Sequence, residues 1–179
     1  RHEILRTTFV AIEEKPTQII ADNITFNLPI ISLENLTSSE QERQAQEIAK
    51  RISRQPFNLT QAPLLRGILL KLHETEHIIL LSMHHIISDG WSLKVLLKEL
   101  GASYQAFAQN EQPQFAPLPV QYADYALWQK ERYGDGALEK ALDYWVEHLA
   151  GYEDLAMPLD FQRPRQISGK GKNVVKAFS

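Results

Sequence analysis

Cysteine is absent from the 179 residues. Disulfides, thiolate metal ligands and a cysteine nucleophile are therefore excluded, and a reducing compartment is compatible with the composition. Long apolar runs are also missing, since none approaches the ~18 residues that a membrane span needs. Charge of one sign never accumulates: 19 Lys and Arg against 22 Asp and Glu leave a net charge of −3. That balance argues against a nucleic acid or an anionic membrane as the main partner. Neither of the glycine-rich phosphate cradles, G-x-G-x-x-G or G-x-x-x-x-G-K-[ST], occurs, and there is no internal repeat. The opening stretch RHEILRTTF lacks the apolar core of a signal peptide and has no initiator Met. The final VVKAFS stops within a strand-like pattern. The chain is therefore expected to be a piece of something longer.

What is present is ordinary for a globular domain with a sizeable core: 44% hydrophobic and 23% charged residues. Periodicity predicts a strand over Leu5 to Ile12, a turn at Glu13 to Pro16, and a partner strand over Thr17 to Ala21. Asn27 to Leu33 reads as extended. Ser39 and Glu42 suit a capping box ahead of a helix whose Ala45, Ile48, Ala49 and Ile52 share one face, and Pro56 ends it. Leu64 to Leu72 reads as a strand broken at Gly67. Ile78 to Met83 returns as a strand apolar enough to be buried on both faces. Leu96, Leu97, Leu100, Tyr104 and Phe107 mark a helix of about four turns from Leu93. Beyond the Pro-rich connection 110–119, Tyr122 to Tyr133 is helical. After Gly134 to Gly136, a last helix gathers Leu138, Leu142, Trp145, Val146 and Leu149 on one face, and Gly151 suits its end. Pro158 and Pro164 sit in an extended connector, and Gly169 to Lys172 reads as a turn. This irregular alternation predicts a layered α/β domain with a mixed sheet.

Two histidine patterns stand out. His73-Glu74-Thr75-Glu76-His77 has the H-E-x-x-H spacing of a zinc protease, but that chemistry needs a helix to bring both imidazoles to one metal. Here the pentapeptide joins two strand-like runs at hairpin distance, so a solvated turn is expected and no metal site is assigned. His84 and His85 follow a strand directly. Neighbours on an extended chain point to opposite faces, so one should face a cavity and the other pack into the fold. A histidine facing a cavity can act as a base near neutral pH. Asp89, four residues on from His85, can orient an imidazole, pair with an arginine, or cap the helix starting near Trp91. Gly90 permits a tight turn or a close backbone approach.

Four stretches carry a family resemblance. HHIISDG, from His84 to Gly90, resembles the H-H-x-x-x-D-G motif of the condensation domains of nonribosomal peptide synthetases, which is shared with chloramphenicol acetyltransferase and related CoA-dependent acyltransferases. RHEILRTTF, Arg1 to Phe9, is similar to the family's R-H-E-x-L-R-T-x-F. PFNLTQAPLLR, Pro56 to Arg66, is similar to P-F-D-L-x-x-x-P-L-L-R, with Asn58 in place of Asp. YADYALWQ, Tyr122 to Gln129, is similar to Y-x-D-Y-A-x-W. The order and spacing agree over about residues 1–165. The family's opening motif and those of its second half are not in the chain.

The resemblance implies an α/β fold of the CoA-dependent acyltransferase type, a layered α+β sandwich with a mixed sheet flanked by helices. Only one lobe is expected: residues 1–165 as the N-terminal lobe, incomplete at its start, and 166–179 as the segment crossing into a second lobe. It implies peptide-bond formation in a larger cytoplasmic synthetase, by attack of an acceptor amine on a donor thioester. Both would ride on phosphopantetheine arms supplied by carrier domains, with an adenylation domain alongside, no cofactor bound directly, and no nucleic acid or membrane as partner. His85 then corresponds to the active-site histidine and His84 to its fold-facing neighbour. Asp89 corresponds to a structural salt-bridge residue, with Arg6 as its first expected partner and Arg1 as its second. Gly90 would clear space for substrate, and Trp91 and Ser92 would shape the substrate site. The order Gly90-Trp91-Ser92 resembles the type that joins two L-configured residues. A lobe without its partner is expected to be inactive alone. Acyl transfer from free acyl-CoA and a docking lobe without catalysis are the rival readings. Tyr122, Tyr125 and Trp128 are expected to pack, and Arg163 and Arg165 to lie near a carrier-docking edge.

Overall fold

A computed structural model describes residues 1–134, 136–153, 155, 158–162, 165 and 166. Arg163 and the turn expected at Gly169 to Lys172 lie outside the described residues, as does nearly all of the expected crossing segment. The chain divides into two compact units, Arg1–Asp135 and Gly136–Ser179.

The first unit opens on a single 3-10 turn, Glu3–Arg6, whose Thr7 hydroxyl donates back to the Glu3 carbonyl at 2.8 Å. The turn takes Leu5 and Arg6 out of the predicted strand, so β1 runs Thr7–Ile12 and pairs antiparallel with β2, Lys15–Ile20. Glu13 and Glu14 make the connection with positive φ, 50° and 63°, the twist that a two-residue hairpin needs. A second sheet orders β3 (Ile30–Ser32), β4 (Leu65–Lys71) and β5 (His77–Met83), with β3 parallel and β5 antiparallel to β4. That is the expected mixed sheet. His73 to Glu76 form its hairpin tip, where the Leu72 and His73 N–H groups both donate to the Glu76 carbonyl. The H-E-x-x-H spacing thus lies at a turn and supplies no helical face for a metal.

One helix, α1 (Ser38–Arg54), covers this sheet. Its cap sits two residues earlier than the sequence suggested: Thr37 is the N-cap, and its N–H donates to Glu40 at 2.9 Å. The Thr37 hydroxyl and N–H hold the Glu40 carboxyl below its usual range. Starting at Ser38 turns Gln41, Ala45, Ile48 and Ile52 inward. Leu33, Ala45, Ile48 and Leu70 form the core, with Ile31, Leu36, Ile68, Leu72, Ile78 and Leu80 packed round it. Gln41 is buried among them, and its amide donates to the Leu33 and Leu72 carbonyls at 3.1 and 3.0 Å. This ties the helix to the ends of β3 and β4.

Gly67 does not break β4, which pairs with β5 without interruption from Leu65 to Lys71. The glycine instead gives room to its neighbours: a Cβ there would stand 2.8 Å from Leu28 Cδ1 and 3.0 Å from Phe26 Cζ. Strand β5 is not enclosed on both faces, as Ile79 is 40% exposed; its apolar run belongs to a sheet covered by α1 on one side only. Helix α2, Gly90–Ala108, is longer than expected and starts directly at the motif, and α3 spans Tyr122–Gly134. Neither holds a fully buried residue, and Leu97, Tyr104, Phe107, Tyr125 and Trp128 are all exposed.

In the second unit α4 covers Ala137–His148, and Gly151 beyond it takes φ +78°, the left-handed geometry that suits glycine after a helix. Leu142, Trp145, Val146 and Leu149 are exposed. Among the described residues, no helix is long and apolar enough to cross a membrane.

Candidate active site

The site forms where β5 runs out and α2 begins. His84 closes the strand pattern: its N–H donates to the Leu64 carbonyl at 3.0 Å. Its carbonyl accepts from the Ile87 N–H at 3.1 Å and the Ser88 hydroxyl at 3.3 Å, which folds the next residues into a tight turn. The His84 ring is partly buried. Its Nδ1 accepts from the Ile86 N–H at 3.0 Å, and Phe57 packs edge-on at 5.9 Å. An accepting Nδ1 requires the neutral Nε2–H tautomer. Ile87, 5% exposed, plugs the turn into the interior.

His85 goes the other way. It is exposed and lines a cavity of about 320 Å³ between the 3-10 turn and α2. Ile4, Leu5, Met83, Val95 and Leu96 make the cavity largely apolar, while His2, Asp89, Ser92 and Tyr122 add polar groups to its wall. The alternation expected for adjacent histidines is thus realised, with His84 toward the fold and His85 toward the cavity.

Asp89 is the N-cap of α2. Its carboxylate accepts from the Ser92 N–H at 2.8 Å and the Ser92 hydroxyl at 2.5 Å, and its own N–H donates to that hydroxyl at 3.1 Å. These Ser92 contacts lead, with the Trp91 N–H and the neighbouring His85 adding to them, in holding the Asp89 carboxyl below the usual carboxylate range. The expected salt bridge is not formed. Arg6 binds Glu3 at 2.9 Å and the Ala21 carbonyl. Arg1 pairs with Glu99 and donates to the Ala116 carbonyl at 3.0 Å. The physical reason is local: a helix N-terminus beside Asp89 offers N–H donors without the entropy of fixing a distant arginine. Ser92, expected as a substrate-shaping residue, is thereby also the capping partner. Trp91 is 77% exposed and does not line the cavity. Apart from its chain neighbours and the backbone of its own helix turn, no heavy atom of the described chain lies within 4 Å of a Cβ built on Gly90.

The cavity's other wall was not foreseen. His2 lies against Glu99 of α2 at 2.8 Å, and Gln121 fastens the same segment by accepting from the Glu3 N–H at 3.1 Å and donating to the Arg1 carbonyl at 3.0 Å. His2 stands in the first resemblance stretch, and that was the only signal available for it. Of Tyr122, Tyr125 and Trp128 on α3, Tyr122 alone reaches the cavity. Tyr125 lies between Tyr122 and Trp128 with its ring tilted against both, at centroid distances of 6.1 and 5.7 Å. All three residues are 44–53% exposed, so they are not the core packing expected of them.

A mixed sheet delivering a double-histidine turn to a cavity beside a helix start defines one partial lobe of the condensation-domain fold. The Condensation domain family matches residues 1–179, and the chain belongs to that family. It is 40% identical to bacitracin synthase 2 of Bacillus licheniformis over 99% of this chain but 6% of that protein. It is 42% identical to gramicidin S synthase 2 of Aneurinibacillus migulanus over 96% of this chain and 4% of that one. Among solved structures it resembles the X-domain in complex with OxyB from teicoplanin biosynthesis, at 32% identity and TM-score 0.74, covering 92% of this chain and 36% of that one. The fold is also shared with the starter condensation domain of rhizomide synthetase, at 24% identity and TM-score 0.67, covering 85% of this chain and 36% of that one. The chain thus spans a small part of these relatives and about a third of these solved chains.

Proposed function

We propose that this lobe carries the catalytic histidine of a domain that forms peptide bonds in nonribosomal peptide synthesis. The acceptor's α-amine attacks the carbonyl carbon of the donor thioester, the C–N bond forms, and the C–S bond breaks to release the donor carrier's phosphopantetheine thiol. The amine must shed a proton and the tetrahedral oxyanion must be stabilised. His85 meets the reacting amine, as proton acceptor or as the group that positions it. Both substrates arrive on carrier domains, and an adenylation domain of the same synthetase supplies the aminoacyl group. Gly90 leaves room for the incoming arm, and the Gly90-Trp91-Ser92 order fits the joining of two L-configured residues.

One observation carries the reading: of two adjacent histidines, His85 is the one on the cavity and makes no hydrogen bond among the described residues, while His84 is committed to the fold. The family membership and the relatives among peptide-antibiotic synthases support it. The test uses the complete domain with donor- and acceptor-loaded carriers, followed in a single turnover. His85→Ala is expected to slow dipeptide formation about 100-fold or more. A parental rate in that variant would overturn the assignment. The pH profile distinguishes the two roles, since loss of its acidic limb in His85→Ala marks a proton acceptor.

A further inference from the structure

The motif turn is braced from outside by two residues that no catalytic role accounts for. Arg66, on β4, donates from Nη1 to the Gln55 carbonyl and from Nη2 to the Pro56 carbonyl, both at 2.7 Å. These are the carbonyls just past the end of α1. The fork clamps the guanidinium over the Phe57 ring, 3.8 Å from its centroid. The Phe57 and His84 rings then meet in a T-shaped pair at an interplanar angle of 85°, an attractive aromatic geometry. His84 in turn accepts the Ile86 N–H through Nδ1. A continuous chain of contacts therefore runs from the end of α1 through Arg66, Phe57 and His84 to the backbone on either side of His85.

We propose that Phe57 and Arg66 are positioning residues that hold the His84 ring, and through it fix where the turn presents His85. The inference rests on the catalytic reading of His85 for its effect on rate, but the brace itself has an independent readout. The chemistry fits the task. An arginine forked onto two carbonyls is stiff, and a ring clamped by it has few alternative rotamers. Neither side chain lines the cavity around His85, so their action on the reaction passes through His84.

The test takes the complete domain with loaded carriers and compares Phe57→Leu, Arg66→Met and the conservative Phe57→Tyr and Arg66→Lys. Phe57→Leu and Arg66→Met are expected to lower kcat about tenfold, the scale of a reacting group displaced by a fraction of an ångström, with KM for the carriers changed less than about twofold. Phe57→Tyr keeps the ring and should keep kcat. Arg66→Lys keeps the charge but loses the fork, and should fall with Arg66→Met. Imidazole 15N spectra read the brace without turnover: His84 is expected to show the Nε2–H tautomer in the parent and averaged tautomers in Phe57→Leu. Combining Phe57→Leu with Arg66→Met should cost no more than the worse single change, because the two act as one unit. Unchanged kcat and unchanged His84 signals in folded Phe57→Leu would overturn the brace while leaving the role of His85 intact. A parental rate in His85→Ala would instead remove the catalytic reading, and the His84 spectra would still decide the brace.

Discussion

Replacing Gly67 by Ala opposes two effects whose balance the structure decides. In a strand interior, alanine removes chain entropy from the unfolded state, a gain of about 0.4–1 kcal/mol where the backbone tolerates it. Gly67 has no positive φ, so its backbone alone raises no objection. The objection comes from space. The new Cβ would lie 2.8 Å from Leu28 Cδ1, 3.0 Å from Phe26 Cζ and 3.3 Å from Leu81 Cδ2, closer than carbon atoms sit without repulsion. Phe26 and Leu28 are 39% and 40% exposed, so they can retreat, but only by uncovering the sheet face they shield. Overpacking of this kind costs about 1–3 kcal/mol, which outweighs the entropic gain and leaves a net loss of about 1–2 kcal/mol. Urea unfolding of the parent, Gly67→Ala, and the pair Gly67→Ala with Leu28→Ala would measure it. The midpoint should fall in the single variant with the slope unchanged, and the second change should recover part of the loss. A Gly67→Ala protein as stable as the parent would refute the close-approach reading.

Gln41→Leu should destabilise although it adds apolar surface at a buried position. The Leu33 and Leu72 carbonyls would lose their shared donor, a penalty of about 1–3 kcal/mol that thermal or urea unfolding would detect. Asp89 sets a pH signature. Its folded pKa lies below the ordinary carboxylate value, so the cap stabilises above the unfolded pKa of about 3.9 and fades as pH falls through the folded value. Asp89→Asn keeps a capping oxygen without the charge. Parent and variant should therefore differ in unfolding midpoint at pH 6 and converge toward pH 2, and a gap that persists unchanged at pH 2 would contradict the capping role.

The elements with strong local signals were legible. The α1 face at Ala45, Ile48 and Ile52, the hairpin tip at His73 to Glu76, and the opposed directions of His84 and His85 follow from periodicity alone. Errors arose where a neighbour distant in sequence decides. Gly67 looks like a strand breaker until Phe26 and Leu28 are seen lying over it. Ser39 and Glu42 have the spacing of a capping box, but Thr37 and Glu40 have it too, and turning Gln41 toward two free carbonyls selects the earlier register. His2 could not be placed at the cavity from sequence, because a contact 97 residues away, with Glu99, sets its position.

The reassignment of Asp89 changes how the motif works as a unit. A salt bridge to Arg6 would have pinned the turn to the 3-10 segment across the cavity. As an N-cap, Asp89 pins it to the first turn of α2, within three residues of itself. The six residues from His84 to Asp89 are then held at both ends by different elements. His84 is fixed to the start of β4 through the Leu64 carbonyl and to the segment after α1 through Phe57, Asp89 is fixed to α2 through Ser92, and Ile87 is sunk between them. Between these anchors His85 and Ile86 stay exposed on the cavity side. A turn anchored at both ends and plugged in the middle limits the backbone freedom of His85 while leaving its imidazole unpaired among the described residues. That combination suits the catalytic role proposed for His85, because orientation lowers the barrier only when a reacting group is held and still free to meet its substrate.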